Sequence, residues 1–172
     1  MPPGGWQAPL SQSHSAWAGR PLASWGSRVA AALLDWLIVT VPLVAVGIVG
    51  GIIAASVSSV GAVVILVIGG LAVLAAALLY APLLMSRQGS HNGQTWGKQI
   101  IGIAVVRDGG QSVDVGFAVL REFVVKGLLF GGLGSLLFYI PTLLDYLWPL
   151  WDGENRCLHD MVVSTHVVRV AN

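Results

Sequence analysis

Few side chains in this sequence are equipped for chemistry, and those few stand in apolar surroundings. Arg28 and Asp35 lie at the start of a long apolar run. Their spacing is about two helical turns, so they share one face, roughly 10 Å apart along the axis. That is too far for an i,i+4 pair. Asp145 lies in a second apolar region shortly before Trp148 and Trp151. If those tryptophans mark a membrane interface, Asp145 is about 9 Å deep, at a level similar to Asp35. Two carboxylates at one level, with Arg28 above them, could form one buried polar cluster. Neighbouring carboxylates raise each other's pKa, which suits exchange of a proton or cation. A blander reading stands beside this one: an Arg–Asp network that fixes helix register, since buried ion clusters often only lock packing. His159-Asp160 reads as a hydrogen-bonded pair, with Asp160 capping local structure or pairing with a cation such as Arg121.

Other chemistries are poorly provided for. A metal site would need further ligands beside His159, and nothing in the sequence places His91 or His166 next to it; no metal or cofactor is expected. There is no G-x-S-x-G, H-E-x-x-H or G-x-x-x-x-G-K motif. No nucleophile has a visible partnered base, so the chain does not read as an enzyme. Nine Lys+Arg against eight Asp+Glu leave a formal net charge of +1, with no basic excess for nucleic acid. The single Cys157 excludes an internal disulfide.

The elements that must hold these residues are apolar helices. Of the 172 residues 55% are hydrophobic and 10% charged, whereas a soluble domain carries about 25% charge. The run from Val29 to Ala55 carries one charge and that from Val60 to Met85 carries none. Each exceeds the roughly 20 residues that cross a bilayer. They predict antiparallel spanning helices over about 28–53 and 60–86, joined by the polar turn 56–59. Pro42, Pro82 and scattered glycines inside them are tolerable in a membrane. Residues 87–116 are polar. There Ile100–Val106, Asp108-Gly109 and Gln111–Val115 predict a hairpin over about 98–115. The region 117–151 is apolar but broken by Gly131-Gly132-Leu133-Gly134, which predicts helices over about 117–131 and 135–151. They are short for two full crossings, and a re-entrant or tilted pair is equally open. Val162–Val170 predicts a strand able to pair with Ile100–Val106. Residues 1–22 read as a disordered tail without the features of a signal peptide, and its Trp6 and Trp17 as having no fixed partner.

The expected fold is therefore an all-α transmembrane helical bundle of about four membrane-embedded helices, spanning 23–170, with a small cytoplasmic β element. Arg20 and Arg28 precede the first helix, Arg87 and Lys98 follow the second, and Arg156 and Arg169 follow the last. Both termini are thus expected to be cytoplasmic in a multi-pass protein of the cell membrane.

The chain resembles the RDD family of small membrane proteins over roughly Ala23 to Val170. The likeness rests on Ala23-Ser24-Trp25-Gly26-Ser27-Arg28 continuing through Ala32-Leu33-Leu34-Asp35, and on Gly93-Gln94-Thr95-Trp96-Gly97-Lys98-Gln99-Ile100-Ile101-Gly102-Ile103. Arg121-Glu122, Asp145-Tyr146-Leu147-Trp148, and Arg156-Cys157-Leu158-His159-Asp160 with Thr165 complete it. The family takes its name from one Arg and two Asp. Arg28 and Asp35 match the first two, and either Asp145 or Asp160 the third. Where Ser164 precedes Thr165 the family more often shows Gly. The resemblance implies a membrane fold and a function for which transport has been suggested. Two roles follow: transport of a small ion or solute through the Arg/Asp cluster, or an accessory or scaffold subunit of a larger membrane complex. The partners expected are the lipid bilayer and a second copy or a larger complex. In the second signature Gly97 and Gly102 would let backbones pass closely, and Lys98 could reach a lipid phosphate or a carboxylate. The plainer alternative there is a tight entry into the hairpin strand.

Overall fold

Ser24 and Ser58 each open a long apolar helix. The computed structural model describes Trp17 and residues 19–170. The Ser24 side chain accepts from the Ser27 N–H, and helix α1 runs Trp25–Ala55 with Pro42 inside it. The Ser58 side chain accepts from Gly61 N–H, and α2 runs Ser59–Met85. Both serines satisfy amides that a helix start leaves unpaired. At 1.5 Å per residue the helices are about 46 and 40 Å long, enough for a bilayer. Of their most apolar 18-residue stretches only 6% and 0% is buried. A core helix of a soluble protein would bury that surface. Here the apolar faces of the α1–α2 hairpin are bare, as lipid-facing helices are.

Below the hairpin the chain turns to small elements: α3 (Trp96–Ile101), strand β1 (Ile103–Arg107), α4 (Val115–Val119), a wide π-helix (Leu120–Gly132), α5 (Leu133–Leu136), α6 (Ile140–Leu147), α7 (Leu158–Val162) and strand β2 (Thr165–Arg169). β1 and β2 pair antiparallel with Val105 opposite Val167, the strand partnership that the sequence suggests. The core lies here rather than between the long helices. Ala23, Ala31, Met85, Ile103, Val105, Val113, Ala118 and Val167 pack together, with Phe117 against them.

Four expectations need correction. The predicted hairpin does not form. Asn92 takes both backbone groups of Val113: its Nδ2 donates to the carbonyl at 2.8 Å and its Oδ1 accepts the N–H at 2.8 Å. Val105 N–H meanwhile donates to Gly93 O at 3.0 Å. Neither side of the Asp-Gly turn is free to pair with the other, and the real partner of β1 comes from the C-terminal strand.

The end of the supposed tail is also ordered. Ala23 N–H donates to Val167 O, Arg169 N–H donates to Pro21 O, and Leu22 bridges Val168. Trp17 stacks on His166 with ring centroids 4.2 Å apart. The rest of the tail, with Trp6, lies outside the described residues.

The glycines at 131–134 do not break the helix, which continues as α5 to Leu136. The reversal comes at Phe138 and Tyr139, both with positive φ. Finally, the helix expected over 135–151 is only eight residues long, with a single 3-10 turn from Trp148 to Leu150 after it. Eight residues span about 12 Å, too short to cross.

Candidate functional site

α3 reaches the base of α1 through a glycine. A Cβ on Gly97 would collide with the Ala31 carbonyl oxygen and lie 2.8 Å from the Asp35 carboxyl group. Only glycine permits this approach, and Asp35 exploits it. Its Oδ1 accepts from Gly97 N–H at 2.8 Å and from Tyr80 O–H at 2.8 Å, and its Oδ2 accepts from Thr95 O–H at 2.5 Å. Three neutral donors from α2 and the α3 entrance thus hold one carboxylate inside a long apolar helix. Gly97 serves the contact between α1 and α3, rather than the entry to a hairpin.

Arg28 points elsewhere. Its Nη1 lies 2.6 Å from Asp160 Oδ2. Asp160 also accepts from Arg121 Nη2 at 2.5 Å, from Thr165 O–H at 3.2 Å and from its own helix's Cys157 N–H at 3.3 Å. Burial alone would raise this carboxyl's pKa. The His159 ring, Arg121 and Arg28 outweigh burial and hold it well below the usual carboxylate range. Both roles foreseen for Asp160, cap and partner of Arg121, are filled. Arg121 is also paired with its neighbour Glu122, and Lys126 reaches Glu122 at 3.4 Å.

Asp145, fully buried, lies behind this network. It receives His159 N–H at 2.8 Å, and His159 Nδ1 is 2.7 Å from its Oδ2. Arg121 Nη2 sits 3.1 Å from His159 Nε2. The expected meeting of Arg28, Asp35 and Asp145 is therefore replaced by two separate clusters. Asp35 belongs to α1–α2–α3, while Asp145 and Asp160 belong to α6–α7 and the π-helix. Arg28 is seven residues from Asp35 in sequence but bonds 132 residues away. Asp145, Cys157 and His159 have ligand atoms within 4.8 Å of one another. His159 is already bonded to Asp145, Cys157 Sγ accepts from Arg28 Nη1 at 3.7 Å, and burial, reinforced by Asp160, pushes the Cys157 thiol up to about 12.

The two clusters face a common cavity of about 530 Å³. Arg28 and Asp35 line it from α1, Tyr80 from α2, Lys98 from α3, and Arg121, Glu122 and Lys126 from the π-helix. Its other wall is apolar, with Trp25, Val29, Leu33 and Trp36. Trp25 Nε1 donates to Tyr146 O at 2.9 Å, tying α1 to α6 at the rim. Lys98 is half-buried and its Nζ has one hydrogen bond, to Thr95 Oγ1 at 3.5 Å. Burial lowers its pKa, and the Glu122 charge offsets this only in part. Tyr80 and Thr95 were not singled out by sequence reasoning. Tyr80 had a signal, a lone hydroxyl in an otherwise apolar run, and Thr95 had one in its place beside Gly97.

Residues 22–164 match the model of the RDD family. A stretch of 74 residues is 34% identical to the uncharacterized protein YxaI of Bacillus subtilis (strain 168), covering 43% of this chain and 42% of that relative, so less than half of either is compared. No solved structure matches. The family match takes in Arg28, Asp35, Asp145 and Asp160 together with the charged residues that line the cavity, and the chain belongs to the RDD family.

Proposed function

We propose that this chain is a multi-pass protein of the cell membrane that moves a small ion or solute through the cavity at the base of its helical hairpin. One observation carries the reading: Arg28 and Asp35, from one face of α1, open onto a shared space of about 530 Å³ instead of closing on each other. A pure packing lock has no use for such a space, because interiors close-pack. Asp35 is the member to test, since its partners are two hydroxyls and an amide rather than a cation. We read the cavity as a passage and not as an enzyme centre.

For topology we take both termini to be cytoplasmic. The cationic residues before α1 and after α2 gather at one end of the hairpin. Pairing of residues 21–23 and of β1 with β2 ties those ends together, which supports an even number of crossings. The short α6 supports a re-entrant pair after the hairpin rather than two further spans.

In proteoliposomes containing a pH-sensitive dye, wild-type protein is expected to change internal pH on a pulse of Na⁺ or K⁺. Asp35→Asn should insert normally and abolish the response. Undiminished flux in Asp35→Asn overturns the proposal.

A second reading, an accessory subunit or an oligomer, is favoured by Gly47, Gly50 and Gly51 on α1 and Gly69 and Gly70 on α2. A Cβ at any of them would meet nothing within 4 Å. Such small-residue faces suit another helix. Mass measurement of the complex in mild detergent separates the cases: a lone chain at native expression counts against it.

A further inference from the structure

Charge on the cavity wall is unbalanced. Arg28, Lys98, Arg121 and Lys126 line it against two carboxylates, Asp35 and Glu122. The balancing Asp160 and Asp145 lie behind the guanidinium groups, outside the lining. Neither lining carboxylate is free to balance Lys98. Asp35 is turned into Tyr80, Thr95 and the Gly97 amide, and Glu122 is held by Arg121 and Lys126. Among the described residues Lys98 Nζ has no carboxylate within ion-pair distance. Arg28 Nε and Nη2 and Arg121 Nε have no hydrogen-bond partner among the described residues. Buried donors in such excess call for an acceptor.

The shape of the cavity says what kind. One wall carries these cations, and the other is the bare flank of α1, where Leu33 is 58% and Trp36 61% exposed. Trp25 and Trp36 are about 16 Å apart along α1, so the wall runs from the interfacial level into the hydrocarbon. A soluble anion has no need of that apolar half. A basic recess between helices on the cytoplasmic side, open to lipid along its length, matches an anionic headgroup with its chains attached. We propose that the cavity binds an anionic phospholipid, its phosphate on Lys98 and Lys126 and its acyl chains along Leu33 and Trp36. The assignment rests on reading α1 and α2 as membrane spans, and not on transport: binding is an equilibrium measured without a gradient.

The test is lipid titration of the delipidated full-length protein in detergent, read by native mass spectrometry. Phosphatidylglycerol, phosphatidylcholine and glycerol 3-phosphate are compared. Phosphatidylglycerol should bind most tightly. Lys98→Gln should weaken it about fivefold, and Lys98→Gln with Lys126→Gln about 25-fold, from the usual worth of each lysine at an anionic surface. Phosphatidylcholine should be little affected. Leu33→Ala with Trp36→Ala should weaken phosphatidylglycerol and leave glycerol 3-phosphate unchanged. Lys98→Gln should also raise thermal stability without lipid, because it removes a half-buried charge that lacks an ion partner. A role confined to structure would lower it. Equal binding of the two lipids, wild-type affinity in Lys98→Gln, or glycerol 3-phosphate as tight as phosphatidylglycerol each overturns the assignment. Loss of flux in reconstituted protein with lipid binding intact would remove the transport reading alone.

Discussion

Asp160 is the side chain on which most of the polar base depends, because it alone touches both Arg28 and Arg121. Asp160→Asn would leave two buried guanidinium groups short of an anion and should cost about 3–5 kcal/mol, measured as loss of thermal stability in detergent. The pH dependence has a definite sign. Its folded pKa lies below the unfolded value of about 3.9. The stabilisation is therefore complete above about pH 4 and is lost as pH falls from there through the folded pKa. Wild type should lose stability over that acid range, and Asp160→Asn should lose less. A second prediction concerns Ser164, which sits at φ +52. The left-handed region costs a residue with a Cβ roughly 1–2 kcal/mol, and glycine's greater entropy loss on folding offsets part of the gain. Ser164→Gly should therefore stabilise by roughly 0.5–1 kcal/mol in the same measurement.

At the scale of elements, what was legible followed from physics that acts locally. Apolar runs of more than 20 residues, one with a single charge and one with none, set α1 and α2 to within a few residues. Alternating β-branched residues marked β1 and β2. What misled was chemistry whose partner is remote. An Asp-Gly turn normally joins its own flanks, but the Asn92 amide had already claimed Val113. Likewise Arg28 and Asp35 share a helical face, and helical periodicity cannot say that their partners come from α7 and α3. Gly131–Gly134 looked like a break, yet glycine only permits one, and the helix bends where Phe138 and Tyr139 take positive φ. The contact of α3 with α1 yields a prediction at this scale. Gly97→Ala should push α3 away from Ala31 and break the Gly97–Asp35 bond, at a cost of about 1–3 kcal/mol. Asp35 would lose one of three donors. In proteoliposomes the variant should show impaired flux even at temperatures where it stays folded.

Across the whole molecule the arrangement resembles a tent whose poles are fastened only at the ground. α1 and α2 contribute little to the packed core, and β2 is the fastening: it pairs on one edge with residues 21–23 and on the other with β1. This sets an order of events in time. Arg28 is made early and Asp160 follows 132 residues later, with β2 after that. During synthesis the hairpin can enter the membrane long before its charged base has an anion to close on. The cavity walls come together only when the last strand of the chain arrives. A nascent chain halted before Thr165 should therefore be inserted but open, with the Arg28 side of α1 still accessible to water. Arrival of β2 is what closes the base of an anchored hairpin.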